Sequence, residues 1–316
     1  MISVNTRDIT VATVTVTFNP DLALLDAQWR ALPVGCMKFI VDNASRPDVF
    51  ARIDALAAQR PDVRILRNDA NLGLAAAVNR GVYAAASMPA PATFVLLLDQ
   101  DSEPQADSVA TLVQSFQDLE TSGRRVGCVG PTLRDPQTRL VHGFHQCTRW
   151  RWKRVYPALN VEEPVPCANL NGSGTLVRTA LFVQMGGLDE SLFIDHVDTE
   201  WSFRVLHSGY GLWGIPNAVF DHRMGESSVR FWWFGWRVWP SRSPLRHYYL
   251  FRNAVMLMRR PYVPSVWKCW AVAKLAATAG VALLTFRHAK AQLSHMQRGV
   301  RDALAARQGR QFDQKQ

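Results

Sequence analysis

Thr93-Phe94-Val95-Leu96-Leu97-Leu98-Asp99-Gln100-Asp101-Ser102 is an unbroken apolar run that stops at two carboxylates one residue apart. Such a run predicts a strand buried on both faces, the habit of parallel sheets. Residues just past the carboxyl end of a parallel strand stand at the rim where open α/β folds bind ligands. Two acids there suit a divalent cation, and the natural cargo of that cation is a phosphate. An ordinary polar strand end, with Asp99 capping the next helix, accounts for the same residues, so the stretch alone does not decide.

Upstream, the β-branched segment from Ile9 to Thr17 ends at Phe18-Asn19-Pro20, and helical spacing follows from Leu22 to Leu32. Lys38-Phe39-Ile40-Val41 runs into the polar turn Asp42-Asn43-Ala44-Ser45, which could cap a helix starting at Pro47. Val63 to Leu66 predicts a third strand, and Asn71 to Gly81 a Gly/Ala-rich helix suited to close approach. Strands alternating with helices mean βα units, so the fold class is α/β with a mostly parallel central sheet. Downstream, the pattern loosens between Val126 and Ala168. It then resumes with a glycine turn at Asn171-Gly172-Ser173-Gly174, a helix over 178–185, a helix start at Asp198-Thr199-Glu200, and a strand leading to Phe220-Asp221-His222.

The net charge of +10 is concentrated at one end: residues 222–316 carry 17 Lys/Arg against three Asp/Glu. That third also holds six of the eleven tryptophans, Trp232, Trp233, Trp236, Trp239, Trp267 and Trp270. Indoles beside cations are the composition of a membrane–water interface, and an anionic membrane surface is the expected partner. No nucleic-acid reader motif accompanies the charge, so no nucleic-acid partner is expected. Phe231 to Pro240 is too short to span a bilayer. Val266 to Phe286 approaches spanning length but is interrupted by Lys268 and Lys274, which favours an interfacial or docked helix. A helical subdomain packed under the rest of the chain is the alternative. Five scattered cysteines without a C-x-x-C pair favour neither disulfides nor zinc. The absence of a basic-then-apolar leader predicts a cytoplasmic chain.

Asp42, Asn71, the Asp99/Asp101 pair, the Asp198/Glu200 helix start and His222 therefore follow one another at element ends. This ordered set resembles the inverting glycosyltransferases of family 2, which have the GT-A fold, and most closely their rhamnosyltransferase-like subgroup. The similarity runs from about Val11 to about Arg259 and includes Phe193-Ile194-Asp195-His196-Val197-Asp198-Thr199-Glu200-Trp201, Ser243-Pro244-Leu245-Arg246-His247-Tyr248-Tyr249 and Phe251-Arg252-Asn253-Ala254.

The resemblance implies that Asp99-Gln100-Asp101 is the D-x-D motif holding Mg²⁺ or Mn²⁺, with Asp101 the more direct ligand, Asp99 at the ribose or the metal's waters, and His222 completing the set. A divalent cation stabilises the negative charge of the departing diphosphate. Inversion needs a carboxylate to take the acceptor's proton. By resemblance that base is Asp198. Val197 stands where many relatives have a further acid, which leaves Asp195 as second candidate. Asp42 would meet the pyrimidine base, Thr17 and Asn19 would lie near the same nucleotide, Asn71 and Gly73 would pass under base and ribose, and Gly172 and Ser173 would line the sugar pocket. Glycine turns, Asx turns and helix packing explain several of these residues equally well. Trp201 could stack on an acceptor sugar or serve as core.

The expected activity is metal-dependent transfer of L-rhamnose from dTDP-rhamnose to a glycan or lipid-linked acceptor in surface-glycan synthesis, at the inner face of the cell membrane. UDP-galactofuranose or another UDP-sugar is the alternative donor, and a non-catalytic basic membrane- or nucleic-acid-binding protein on a degenerate transferase scaffold the alternative class. The expected organisation is a GT-A catalytic domain over 1–228, a Trp/Arg-rich helical membrane-associating region over 229–297, and a partly disordered basic tail over 298–316. Sequence leaves the oligomeric state undetermined.

Overall fold

The computed structural model of the chain describes residues 10–223, 228–232, 236–240, 242–285 and 289–311. Its first part alternates as the apolar pattern requires: β1 (Val11–Thr17), α1 (Leu22–Ala31), β2 (Met37–Asp42), α2 (Pro47–Ala57), β3 (Val63–Arg67), α3 (Leu74–Ala86) and β4 (Phe94–Asp99). β1 pairs in parallel with β2 and β4, and β2 with β3. β4 is the apolar run of 93–102, and its Phe94, Val95 and Leu96 are fully buried. The chain winds outward from β1 to β3, then returns to place β4 on the other side of β1. Such a reversal opens a crevice at the carboxyl ends of the two strands, so the acids of β4 stand where a ligand enters. α3 lies close on the sheet because its Gly81 faces Val14 and Val41, where a side chain would not fit.

The chain continues through β5 (Ser102–Pro104), α4 (Ser108–Thr121), β6 (Val126–Arg134), β7 (Val141–His142), β8 (Phe144–Cys147), β9 (Trp152–Val155), β10 (Val165–Cys167), β11 (Leu176–Arg178), α5 (Thr179–Gln184), α6 (Val197–His207) and β12 (Gly211–His222). The strand order of the main sheet is β10-β12-β6-β11-β4-β1-β2-β3. β11 runs antiparallel to β4 and β6, while β12 is parallel to β6. The short β5 folds back against the end of β12 and sets His222 opposite Ser102. That pairing joins two sequence motifs 120 residues apart.

Beyond β12 the chain forms the antiparallel hairpin β13 (Ser228–Trp232) and β14 (Trp236–Pro240), then α7 (Pro244–Met258), α8 (Ser265–Thr285) and α9 (Ala289–Leu304). The aromatic stretch Phe231–Pro240, expected within a helical region, is therefore strand on both sides of 233–235; aromatic and β-branched residues suit a pleated surface. Trp233 lies outside the described residues. The boundary expected at residue 297 falls inside α9, whose Gly299 lies against the backbone of α7 at Tyr248. Asp302 is buried and accepts a hydrogen bond from Tyr248 Oη at 2.9 Å. The tail returns to the sheet-bearing part of the chain, with Gly309 N donating to Ser191 O at 2.8 Å; residues 312–316 lie outside the described residues. α8 buries Trp267 and Ala271, yet leaves Val272, Leu283 and Leu284 exposed. By length and composition it is apolar enough to cross a membrane.

Candidate functional site

At the carboxyl end of β4, Asp99, Asp101 and His222 converge, each offering a ligand atom within 4.8 Å of the others. His222 Nε2 lies 4.0 Å from Asp99 Oδ2, and Nδ1 lies 3.5 Å from Asp101 Oδ1 and 2.7 Å from Ser102 Oγ. Ser102 Oγ is in turn bonded to Ser173 Oγ, which also accepts from Asp99 N at 3.2 Å. A polar partner on one ring nitrogen fixes the orientation of the imidazole and leaves the other nitrogen for a ligand. From below, buried Gln28 of α1 donates to Asp99 O at 2.7 Å and to Ser102 O at 2.6 Å, while its Oε1 accepts from Thr15 Oγ1 at 2.8 Å. Burial raises the Asp101 carboxyl above the ordinary range; His222 opposes this and Asp99 adds to it. Among the described residues neither acid has a Lys or Arg ion-pair partner. Two crowded carboxylates beside an imidazole fit a divalent cation, and the imidazole suits manganese better than magnesium.

The edge expected to meet the nucleotide base is arranged differently from its sequence reading. Asp42 and Thr17 are both fully buried. Asp42 Oδ1 accepts from Thr17 Oγ1 at 3.1 Å and from Ser45 Oγ at 2.5 Å, and Oδ2 accepts from Ser45 N at 3.0 Å. Contact between Asp42 and a base requires this knot to open. The turn therefore closes on itself instead of capping α2, which starts at Pro47 without a side-chain cap. Asn19, with φ +47°, bridges to the same turn: its N donates to Ser45 Oγ at 2.8 Å and its Oδ1 accepts from Arg46 N at 3.0 Å.

Asn43, not singled out in the sequence, is the hub of this edge. Its Oδ1 accepts from Asn68 Nδ2 (3.0 Å) and Leu72 N (2.9 Å), and its Nδ2 donates to Asn71 Oδ1 (2.9 Å) and Gly73 O (3.2 Å). Its position directly after Asp42 at a strand end was the available signal. Gly73 has φ +90°, and any Cβ there would meet Phe193 O at 2.6 Å, so glycine is required by close packing of the next loop.

That loop carries the base candidates. Phe193, Asp195 and His196 all have φ above +60°, a conformation that persists only when neighbours over-determine it. α7 supplies the neighbours. Asn253 Nδ2 donates to the carbonyls of Leu192 (2.8 Å), Ile194 (2.7 Å) and Asp195 (2.8 Å), and Arg252 Nη2 donates to Leu192 O at 2.9 Å. Asp195 forms a bidentate pair with Arg246 at 2.9 and 2.8 Å. Burial pushes the Asp195 carboxyl up, but the charge and hydrogen bonds of Arg246 outweigh it and hold the group below the ordinary range. Asp198 has no such partner; its Oδ1 accepts from Thr199 N at 2.8 Å. Burial, partly opposed by that N–H and reinforced by the charges of Asp99 and Asp195, raises it to about 6.

The site opens on one cleft of about 720 Å³. Asn71, Gly73, Asp99, Asp101, Gly172 and Asp198 line it, whereas Thr17, Asn19, Asp42, Ser173 and His222 lie outside its lining. Gly172 sits directly across from Asp198, with a Cβ position 3.9 Å from Asp198 Cβ. Ser173 stands behind Asp99. Trp201 is 3% exposed and belongs to the core, its Nε1 donating to Cys128 Sγ at 3.4 Å. Arg204 pairs with buried Glu200 at 2.8 Å, which also contacts Arg260 at 3.0 Å.

A parallel sheet that presents an acidic pair at its switch point, facing a desolvated carboxylate across an open cleft, is the architecture of a nucleotide-sugar glycosyltransferase with the GT-A fold. Residues 38–186 match the model of the family described as "Glycosyl transferase family 2". The chain is 31% identical over 252 residues to a dTDP-rhamnosyl transferase, RfbF, of Shigella flexneri, covering 79% of this chain and 80% of that protein. It is 29% identical to an N-acetylglucosaminyl-diphospho-decaprenol L-rhamnosyltransferase of Mycobacterium tuberculosis, covering 55% of this chain and 63% of that one. Among solved structures, the mannosyltransferase PcManGT of Pyrobaculum calidifontis, in complex with GDP-Man and Mn²⁺, superposes with a TM-score of 0.56 at 17% identity, covering 96% of this chain and 88% of that one. GalNAc-T7 with UDP, GalNAc and Mn²⁺ gives 0.56 at 16% identity, covering 95% of this chain and 57% of that one. The chain belongs to glycosyltransferase family 2, in its rhamnosyltransferase-like subgroup. The family match and the rhamnosyltransferase relatives support a glycosyltransferase over a non-catalytic protein on a degenerate scaffold.

Proposed function

We propose that the protein is a metal-dependent, inverting transferase that moves L-rhamnose from dTDP-rhamnose to a lipid-linked or polysaccharide acceptor in surface-glycan synthesis. The observation that carries the reading is Asp198: a carboxylate without a basic partner, raised to about 6, in the same cleft as Asp99 and Asp101. A carboxylate ionised at neutral pH yet more basic than usual is suited to take a proton from an attacking hydroxyl. Asp195, held by Arg246, is the weaker base and serves to fix the loop. Asp99, Asp101 and His222 would hold Mg²⁺ or Mn²⁺, which when bound stabilises the diphosphate leaving group. Gln28, Ser102 and Ser173 keep those three side chains in place. Asn71 and Gly73 form the cleft edge nearest the nucleotide. Asn19, Thr17 and Asp42 shape that edge from behind, and Gly172 leaves room for the sugar opposite Asp198.

The donor assignment draws on the relative from Shigella flexneri. The exposed apolar side of α8 and the basic C-terminal third support peripheral attachment to the inner face of the cell membrane. In this reading the chain up to the end of β12 forms the catalytic domain, and the part from β13 through α9 the membrane-associating region.

The test is a donor screen with purified protein and MnCl₂, reading release of dTDP or UDP across a panel of nucleotide sugars. dTDP-rhamnose should be preferred, EDTA should abolish release and Mn²⁺ should restore it. Preference for UDP-galactofuranose would overturn the donor, full activity in EDTA the metal, and an anomeric configuration retained in the product the inverting mechanism.

A further inference from the structure

Besides the acidic pair, the cleft is lined by residues of β9, of the segment leading into α7, and of α8. Arg154, Arg242 and Lys274 face into it among Trp152, Trp267 and Trp270. None of these three cations has a carboxylate partner among the described residues. Arg154 Nε donates to His145 Nε2 at 2.8 Å, and His145 is stacked on Trp152 with ring centroids 5.3 Å apart. Burial and the charge of Arg154 hold His145 down to about 3, so it remains a neutral acceptor that aims the guanidinium without neutralising it. Lys274 Nζ lies 4.7 Å from the centroid of Trp270. Burial, then the charges of Arg242 and Arg154, lower Lys274 to about 8, with Asp195 alone opposing. Asp195 is already neutralised by Arg246. The wall is thus a cluster of like charge, exposed at Arg154 and partly buried at Arg242 and Lys274, which an anion would relieve.

The metal corner already accommodates the donor's diphosphate in the proposed function, and the present inference rests on that reading. Asp198 lines the same cleft as Asp99, Asp195, Arg154, Arg242 and Lys274. The base and the cationic wall thus share one cleft with the acidic pair. We propose that Arg154, Arg242 and Lys274 form an acceptor subsite for the diphosphate through which a lipid-carried acceptor is linked. A diphosphate diester carries two negative charges and several acceptor oxygens, a match for guanidinium forks and an ammonium. The lipid source is taken from the proposed function: α8 gives Trp267, Trp270 and Lys274 to the cleft and turns its exposed Val272, Leu283 and Leu284 away from it.

The probe is farnesyl diphosphate, titrated calorimetrically into the full-length protein saturated with Mn²⁺ and dTDP, and again in EDTA, where the metal corner cannot hold a diphosphate. Binding should be present in both conditions, at least tenfold weaker in the Arg154→Gln/Lys274→Met double variant, and close to wild type in Lys274→Arg. Arg242→Gln, at the start of α7, gives a second loss should the double variant fail to fold. Equal affinity in wild type and variants would overturn the subsite, and so would binding that vanishes in EDTA. Inorganic pyrophosphate or farnesol binding as tightly as farnesyl diphosphate would overturn the lipid-linked diphosphate. Binding of dTDP with Mn²⁺ in the same samples reports separately on the donor reading, so the two can fail independently.

Discussion

Replacing Asp198 by Asn removes one negative charge and one proton acceptor while keeping the shape of the side chain. General-base assistance contributes typically about 10²–10⁴-fold, so kcat should fall by that factor, equivalent to ~3–5 kcal/mol of barrier. The wild-type pH profile carries a sharper number. With Asp198 raised to about 6 from an ordinary 3.8, about one-tenth of the enzyme is in the base form at pH 5 and about nine-tenths at pH 7. At the lowest Mn²⁺ concentration that supports turnover, kcat/KM should therefore rise by up to about tenfold from pH 5 to its plateau, whereas an unshifted carboxylate would already be ionised at pH 5. Because the charge of Asp99 contributes to the shift, a cation at that corner should move the midpoint towards acid, and raising Mn²⁺ should displace it in that direction.

Stability should move the opposite way. A carboxyl whose folded pKa lies above its unfolded value stabilises the fold fully below the unfolded pKa, and loses that contribution as pH rises through about 6. Asp198→Asn should then melt at or above the wild-type temperature at pH 8 while being nearly inactive. A variant that keeps wild-type turnover, or a wild-type profile flat from pH 5 to 8, would refute the assignment of Asp198 as base.

Gln28→Leu leaves the carbonyls of Asp99 and Ser102 without their buried donor; it should cost about 2 kcal/mol in urea denaturation and raise the Mn²⁺ concentration for half-maximal activity, and no change in both would show that Gln28 does not position the acidic loop. The basic C-terminal third and the exposed side of α8 predict co-sedimentation with anionic vesicles at low salt and partial release at high salt, and full recovery in the supernatant at low salt would remove the membrane from the proposed setting.

The fold was legible in the sequence because burial in a parallel sheet leaves a local mark. A strand covered on both faces must be apolar throughout, as 94–98 are, and its last residue must be polar where it emerges. The acids at strand ends, their order and the family resemblance follow from that pattern. Helical expectations failed where aromatic residues crowd: around 231–240 hydrophobicity without clear periodicity fits strand as well as helix. The boundary at 297 missed α9 because its buried stripe of Met296, Gly299 and Ala303 is narrow among polar residues, and its contact with α7 cannot be read from one helix alone.

What each carboxylate does was decided only in three dimensions. Asp42, Asp195 and Asp198 are alike in the chain. Asp42 is spent on Thr17 and Ser45, Asp195 on Arg246, and Asp198 on uncharged donors alone, the N–H and hydroxyl of Thr199 and the N–H of Gly172. His222 joins Asp99 and Asp101 because β5 doubles back on β12, and Gln28 clamps the same loop from another helix. By itself the sequence determined the sheet, its rim and the residue types offered there, since periodicity depends on neighbours a few residues away. Tertiary structure alone decided which acid is paired, which is desolvated and which cations are left over, since charge and burial act through space between residues 50 to 120 positions apart.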